Sequence, residues 1–186
     1  MNVGNLRLPG LRLIQLDVFQ DSRGFFVERF NWDGFQEKGL PTRYVQDNHS
    51  RSLPGVLRGL HYQHDPGQGK LIGVVRGMIW NAVVDLRIGS PTFGEFESIE
   101  LSDMNGLALW VPAGFATGYC VPGDEPADVI YKADSSYRPD KEGGIHWADP
   151  DLHIPWPLDH PIVNVHDAQL PSFQQYVANP VESFSF

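Results

Sequence analysis

The sequence predicts an all-β fold of the jelly-roll kind, a sandwich or barrel of short strands. Nineteen glycines and fifteen prolines divide the chain into short segments. Most of these segments are apolar runs of strand length bounded by turn residues. Helical periodicity is weak and confined to a turn or two near residues 32–38 and 172–177, which we expect to be short peripheral helices. Many short strands between turn signals are typical of sandwiches and barrels.

The predicted strands lie in the middle of the chain, at residues 71–75, 78–86, 96–101, 107–111, 116–121 and 128–133. Arg76-Gly77 separates the first two like a hairpin turn, and Asn105-Gly106 is a turn signal before the fourth. After residue 133 the chain is rich in Asp, Pro and Trp, with little periodicity. We expect a single domain over residues 1–186, with residues 134–186 as an ordered wrap on the barrel.

Composition excludes several classes of function. The formal net charge is −9, and nucleic-acid binding needs a basic surface, so we expect no nucleic-acid partner. No apolar run approaches the ~20 residues of a membrane helix, and the first residues lack a secretory signal, so we expect a cytoplasmic protein without membrane contact. The single cysteine, Cys120, lies in an apolar run and is expected to be an inert core residue.

Polar side chains concentrate within twenty-five residues of short-strand sequence: Gln46, Asn48, Arg58, His61 and Lys70. Taken alone, each is more often a structural hydrogen-bonding residue than a catalytic one. Alternate residues of a barrel strand point inward. Burying five such groups together is costly unless they line a site. The sequence therefore predicts a polar cavity inside the barrel.

A metal site is not predicted. Jelly-roll barrels of the cupin class often bind a metal through His-x-His, a later glutamate and a third histidine in a second motif. Here Gln63 stands where the second histidine would follow His61, and Thr117 occupies the histidine position of the second motif. With two of three imidazole ligands missing, His61 is expected to act as a base rather than as a ligand.

Over roughly residues 6–176 the chain resembles the dTDP-4-dehydrorhamnose 3,5-epimerase family. The resemblance is carried by Asp21-Ser22-Arg23-Gly24-Phe25-Phe26, Val45-Gln46-Asp47-Asn48-His49-Ser50, Gly55-Val56-Leu57-Arg58-Gly59-Leu60-His61-Tyr62-Gln63, Gly69-Lys70-Leu71, Val84-Asp85-Leu86-Arg87, Gly89-Ser90-Pro91-Thr92-Phe93-Gly94, Tyr131-Lys132 and Asp149-Pro150-Asp151-Leu152. It implies a metal-free, cofactor-free cupin-type barrel that works as a homodimer. It also implies inversion of C3 and C5 of a dTDP-linked 4-keto-6-deoxyhexose.

The same resemblance assigns roles to individual residues. The implied catalytic residues are His61 as the base, Asp167 as its orienting carboxylate, Tyr131 as the acid on the opposite face of the sugar, and Lys70 at the enolate oxygen. The implied substrate-binding residues, some of them supplied by the partner subunit, are Arg23, Phe26, Glu28, Gln46, Asp47, Asn48, Arg58, Lys70, Thr117, Tyr137, Glu142 and His166. Tyr137 would stack on the thymine.

Two positions depart from the family pattern and keep other functions open. Members usually carry histidine at the place of Thr117 and lysine at the place of His166. One alternative is a mono-epimerase that inverts C3 or C5 only, or acts on a related 4-keto sugar nucleotide. The others are a cupin that binds a sugar nucleotide without turnover and a metal-dependent cupin isomerase or dioxygenase.

Overall fold

The computed structural model describes residues 1–186 and consists mainly of β-strands. Its strands are β1 Asn2–Asn5, β2 Arg12–Gln15, β3 Val18–Asp21, β4 Gly24–Val27, β5 Gln46–Ser52, β6 Leu57–Gln63, β7 Lys70–Arg76, β8 Met78–Asp85, β9 Phe96–Ser102, β10 Leu107–Val111, β11 Phe115–Cys120, β12 Ala127–Ala133 and β13 Glu142–Gly144. Two short helices, α1 Trp32–Glu37 and α2 Phe173–Ala178, lie where weak helical signal predicts them. Neither helix has the length and apolarity to span a membrane.

Two antiparallel sheets form the body of the protein. The six-stranded sheet has the order β1-β2-β10-β7-β12-β5, and the five-stranded sheet has the order β13-β6-β11-β8-β9. The main apolar cluster contains residues of both sheets, including Val74, Leu109 and Val129 from the first and Ile79, Val83 and Leu101 from the second. Burial of these side chains between the sheets stabilises the sandwich. The predicted all-β jelly-roll fold is therefore confirmed.

The hairpin predicted at Arg76-Gly77 is wrong. Gly77 adopts a φ of +73° and connects β7 to β8, but the two strands belong to different sheets. An added Cβ at Gly77 would lie 2.6 Å from the Pro126 carbonyl oxygen, so the close approach requires glycine. Two buried apolar runs around a glycine look alike in sequence, whether the strands pair or the chain crosses between sheets.

The polar run at residues 46–51 is an edge strand of the six-stranded sheet, β5, rather than a surface loop. Its side chains alternate between half-buried and exposed, which places Gln46, Asn48 and Ser50 on the inner side. Strands β1 to β4 and β13 are further strands that the apolar pattern does not predict.

The chain after β12 covers the outer face of the five-stranded sheet. Ile145, Leu152, Tyr176 and Phe184 form an apolar cluster with Leu60, Ala82, Val84, Leu86 and Ala116 of the sheet and its margin. On the other side of the protein, Phe35 of α1 joins a cluster with Ile14 and Trp110. The C-terminal segment is thus tied to the barrel, and it carries Asp167 to the cavity described next.

Candidate active site

A cavity of about 250 Å³ lies between the two sheets. Arg58, His61, Asn81, Thr117 and Tyr119 line it from the five-stranded sheet, and Ser50, Lys70, Ile72, Val129 and Tyr131 line it from the six-stranded sheet. Asn164 and Asp167 of the C-terminal segment complete the lining. The structure thus brings together six of the site residues named from the sequence: Arg58, His61, Lys70, Thr117, Tyr131 and Asp167.

His61 and Asp167 form a hydrogen-bonded pair at this cavity. The Nε2 atom of His61 lies 2.8 Å from Oδ1 of Asp167, although the two residues are 106 positions apart in the chain. A carboxylate accepts the Nε2 proton, so the lone pair of the neutral ring lies on Nδ1. Nδ1 is therefore the nitrogen that can accept a proton from a bound molecule.

Asp167 is fully buried and ionised. Burial alone would raise the pKa of its carboxyl, but the hydrogen bonds from His61 and from the Gly59 N–H, 2.9 Å from Oδ2, lower that pKa to about 2. Gly59 has a φ of +109°, and a Cβ there would lie 2.7 Å from the Gly118 Cα. Only glycine permits this close approach of β6 to β11, which aims the N–H at the carboxylate.

Lys70 and Tyr131 face the pair from the opposite sheet. Lys70 begins β7 and Tyr131 lies on the neighbouring β12, with the Lys70 Nζ 6.0 Å from the centre of the Tyr131 ring. Burial lowers the pKa of Lys70, and the charge of Glu142 opposes that shift. Burial also raises the pKa of Tyr131, and Tyr119 and Glu142 raise it further. Tyr131 is therefore a neutral phenol at ordinary pH.

Arg58 is held at the rim of the cavity by hydroxyl groups. Its Nε donates to Ser52 Oγ at 2.9 Å, and that oxygen lies 3.0 Å from the Tyr119 hydroxyl. Ser50 Oγ lies 3.1 Å from the same hydroxyl. The guanidinium is thereby fixed in position while remaining exposed, an arrangement suited to an anionic group such as a diphosphate.

A second polar cluster joins four of the predicted substrate-binding residues. The Nε2 of Gln46 donates to Asn48 Oδ1 at 2.9 Å, and Gln46 Oε1 accepts the Tyr137 N–H at 2.9 Å. The Tyr137 hydroxyl donates to Glu142 at 2.7 Å. The Nδ2 of Asn48 is buried without a partner. The half-exposed Tyr137 ring is available to a ligand, whereas the unpaired Asn48 donor is covered by the chain.

The remaining predicted binding residues lie elsewhere. Arg23 and Phe26 belong to the exposed β3–β4 hairpin, where Arg23 pairs with Asp21, and Glu28 follows that hairpin. Asp47 points away from Gln46 and Asn48 and forms an ion pair with Lys132 at 2.7 Å. The structure does not bring these four residues to the cavity within one chain.

His61, His166 and Asp167 place potential metal-ligand atoms within 4.8 Å of one another. These atoms already hydrogen-bond among themselves, because Asp167 Oδ1 lies 2.8 Å from His61 Nε2 and 3.3 Å from His166 Nδ1. The arrangement satisfies them without an ion, and the expectation of no metal stays a prediction. Elemental analysis of the purified protein tests it, since a stoichiometric transition metal would contradict it.

Comparison with known proteins identifies the family. The model of the dTDP-4-dehydrorhamnose 3,5-epimerase family matches residues 5–175. The chain belongs to this family. The family member from Pseudomonas aeruginosa is 46% identical over 175 residues, which cover 93% of this chain and 96% of that protein. A crystal structure of the Legionella pneumophila dTDP-6-deoxy-D-glucose-3,5-epimerase in complex with dTDP-4-keto-L-rhamnose is 39% identical, with a TM-score of 0.90 and coverage of 99% and 96%. A dTDP-4-dehydrorhamnose 3-epimerase from Streptomyces niveus is 38% identical, over 90% of this chain and 81% of that protein.

The two departures from the pattern of the epimerase family lie on or beside the cavity. Thr117 is buried in its wall, and its neighbour in the β6–β11 register is His61. His166 is largely exposed and contacts Asp167. Sequence reasoning missed four polar lining residues: Ser50, Asn81, Tyr119 and Asn164. Asn81 carried a signal, because it is a lone amide within the otherwise apolar run from Met78 to Val84.

Proposed function

We propose that this protein inverts C3 and C5 of dTDP-4-dehydro-6-deoxy-glucose to give dTDP-4-dehydro-L-rhamnose. Family membership supports the reaction class. The observation that carries the assignment is the His61–Asp167 pair across a small cavity from Lys70 and Tyr131. Such a set supplies a base, a stabiliser of developing negative charge and a proton donor, which are the groups that epimerisation beside a ketone needs.

His61 removes the proton from the carbon next to the 4-keto group. Its Nδ1 accepts the proton, and the ring becomes an imidazolium whose Nε2–H remains bonded to Asp167. The buried carboxylate stabilises that positive charge and fixes the tautomer before the reaction begins. Histidine is the side chain that most often serves as a general base in enzymes.

Lys70 stabilises the enolate that forms. The electron pair from the broken C–H bond moves to the ketone oxygen, where an N–H donor strengthens its hydrogen bond as charge develops. Lys70 is partly buried, so its interaction with an enolate held in the cavity is screened less than it would be on the open surface.

Tyr131 returns a proton to the carbon from the opposite side. It lies on the six-stranded sheet, whereas His61 lies on the five-stranded sheet. A sugar ring held between the two sheets therefore meets the base on one face and the phenol on the other. Its raised pKa keeps the donated proton on the phenol until the carbanion is ready to accept it.

Deuterium exchange tests this proposal. The wild-type protein, incubated with dTDP-4-keto-6-deoxyglucose in D₂O, is expected to introduce one deuteron at C3 and one at C5, followed by NMR. His61→Ala should abolish exchange and leave dTDP affinity nearly unchanged. The matched control is His160→Ala, which alters an exposed loop histidine. A wild type that binds dTDP-4-keto-6-deoxyglucose without exchange would instead indicate a non-catalytic sugar-nucleotide-binding cupin.

A mono-epimerase is the second candidate, and Thr117 is the observation that favours it. An uncharged hydroxyl in the cavity wall cannot exchange protons near neutral pH as a histidine can. The Streptomyces niveus relative is named a 3-epimerase, so the family includes proteins described by a single inversion. Exchange at one carbon only, in the experiment above, would select this candidate.

The exposed hairpin suggests a homodimer in which each subunit helps to complete the other's nucleotide site. Phe19, Phe25 and Phe26 are 63%, 58% and 66% exposed, and such an apolar patch is typical of an interface. Arg23 projects from the same hairpin. In this proposal residues 1–186 form one cytoplasmic domain with residues 134–186 as its wrap.

Mixing two inactive variants tests the exchange of hairpins. Arg23→Ala removes the hairpin cation, and His61→Ala removes the base. If hairpins cross between subunits, statistical heterodimers restore about a quarter of the active sites. Light scattering checks the dimer mass. Recovery of no activity from two folded, dimeric variants would show that each subunit completes its own site.

A further inference from the structure

Asn81 and Thr117 form a hydrogen-bonded pair in the wall of the cavity that also carries His61. The Nδ2 of Asn81 donates to Thr117 Oγ1 at 3.1 Å and to the Ala82 carbonyl oxygen at 3.2 Å. The Thr117 hydroxyl in turn donates to the same carbonyl at 3.1 Å. Asn81 is only 1% exposed and Thr117 is 8% exposed, so bulk water does not compete for these bonds.

This network fixes the direction in which the Asn81 amide points. The carbonyl of Ala82 can only accept, and the Thr117 hydrogen is already committed to it. Turning the amide over would bring Oδ1 of Asn81 against the Ala82 carbonyl oxygen, which has no hydrogen to donate. Both N–H groups of the Asn81 amide therefore donate to atoms of the cavity wall, and its Oδ1 remains without a hydrogen-bond partner.

No hydrogen bond within the chain ends on Asn81 Oδ1, and Asn81 is one of the residues that line the cavity. Beside it, Thr117 Oγ1 retains one lone pair. This part of the wall therefore presents acceptors without donors. The opposite wall presents the Nζ–H of Lys70 and the phenol of Tyr131.

We propose that Asn81, held by Thr117, is a specificity-determining residue that accepts a hydrogen bond from a hydroxyl of the hexose ring. A ring hydroxyl can donate to Oδ1, whereas the 4-keto oxygen can only accept and is repelled by it. The keto oxygen is thereby directed to Lys70 on the far wall. The pair orients a hydroxylated 4-keto sugar and discriminates against sugars that lack the hydroxyl.

This inference rests on the proposed function, because it concerns the sugar end of the same cavity. It differs from the roles of His61, Lys70 and Tyr131 in that Asn81 has no part in proton transfer. A neutral amide neither gains nor loses a proton in the working pH range. Its contribution is to binding and orientation of the sugar. The affinity for a ligand that cannot react therefore measures that contribution.

The test compares two ligands by calorimetry. dTDP lacks the hexose. dTDP-6-deoxyglucose carries the hexose with its C2 and C3 hydroxyls, but it has no ketone from which an enolate could form. The change Asn81→Leu keeps the approximate size of the side chain and removes the acceptor. We expect it to weaken dTDP-6-deoxyglucose binding about tenfold relative to dTDP binding. Affinity for dTDP itself should stay within about twofold of wild type, since the proposed contact is to the hexose and dTDP has none.

A second variant guards against misfolding. Thr117→Val keeps the shape of threonine but removes one of the two acceptors that hold the Asn81 amide, and we expect a smaller loss, about threefold, in dTDP-6-deoxyglucose affinity relative to dTDP affinity. An unchanged ratio in both folded variants, or equal losses for dTDP and the sugar nucleotide, would overturn the inference. Deuterium exchange by the wild type is scored separately. If the wild type exchanges deuterium normally and the ratio of dTDP-6-deoxyglucose affinity to dTDP affinity is unchanged in both variants, only the role of Asn81 is refuted.

Discussion

The substitution Asp167→Asn changes the charge beside His61 while keeping the shape of the side chain. The pKa of Asp167 is lowered from 3.8 to about 2, which corresponds to about 2.5 kcal/mol of net preference for the carboxylate. The same charge stabilises the imidazolium formed in the proposed reaction. A loss of comparable size at the imidazolium would slow the reaction about 70-fold.

A change of tautomer adds to this loss. The Gly59 N–H still requires an acceptor at its 2.9 Å contact with Oδ2, so the asparagine carbonyl oxygen would turn toward Gly59. Its NH₂ group would then face His61 Nε2 and could donate a hydrogen bond only if that nitrogen carried no proton. The ring proton would move to Nδ1, which could no longer accept a proton from the sugar. We therefore expect kcat to fall between about 70-fold and about 10⁴-fold.

The rate of deuterium incorporation measures the effect, and calorimetry with dTDP checks that the nucleotide still binds. The matched control is Asp151→Asn, which changes an exposed carboxylate in the same C-terminal segment. If Asp167→Asn folded normally and retained kcat within threefold of wild type, the carboxylate would have no role in activating His61.

Three further outcomes are expected. Because the pKa of Asp167 is lowered, the ionised carboxylate stabilises the fold fully above pH about 4, and this stabilisation disappears as pH falls toward 2. The acid-induced drop in Tm over this range should therefore be smaller in Asp167→Asn than in the wild type. Lys70→Met keeps the length of the side chain without its charge, and should reduce kcat about 10²- to 10³-fold with little change in dTDP affinity. An unchanged kcat would remove Lys70 from the mechanism. Gly59→Ala should lower the free energy of unfolding by more than about 2 kcal/mol, since its Cβ would lie 2.7 Å from backbone at Gly118; denaturant titration measures this, and a stability equal to wild type would contradict it.

The sequence predicts much of the barrel because apolar runs and turn residues determine strands locally. The segments of residues 107–111 and 128–133 lie within the observed β10 and β12. Pairing is a long-range property, and the pattern around Gly77 could not show that β7 and β8 enter different sheets. Polar edge strands such as β5 lack the apolar pattern by which strands are recognised.

The same difference between local sequence patterns and long-range contacts applies to the candidate site. Family resemblance named His61, Lys70, Tyr131 and Asp167, and the structure places their side chains around one cavity. Asn81 was missed because an isolated amide in a buried strand has no motif. Its importance follows from which of its atoms are already hydrogen-bonded, and only three-dimensional coordinates show that.

The long separation between His61 and Asp167 makes the catalytic pair depend on docking of the C-terminal segment. His61, Lys70 and Tyr131 lie on β6, β7 and β12, whereas Asp167 lies in the C-terminal segment after the last strand. The carboxylate arrives only when that segment docks and Asn164 accepts the Asp167 N–H at 2.7 Å. A chain cut before Asp167 therefore lacks the orienting partner of its base. Loss of the C-terminal segment is therefore expected to lower enzymatic activity more than it lowers β-strand content.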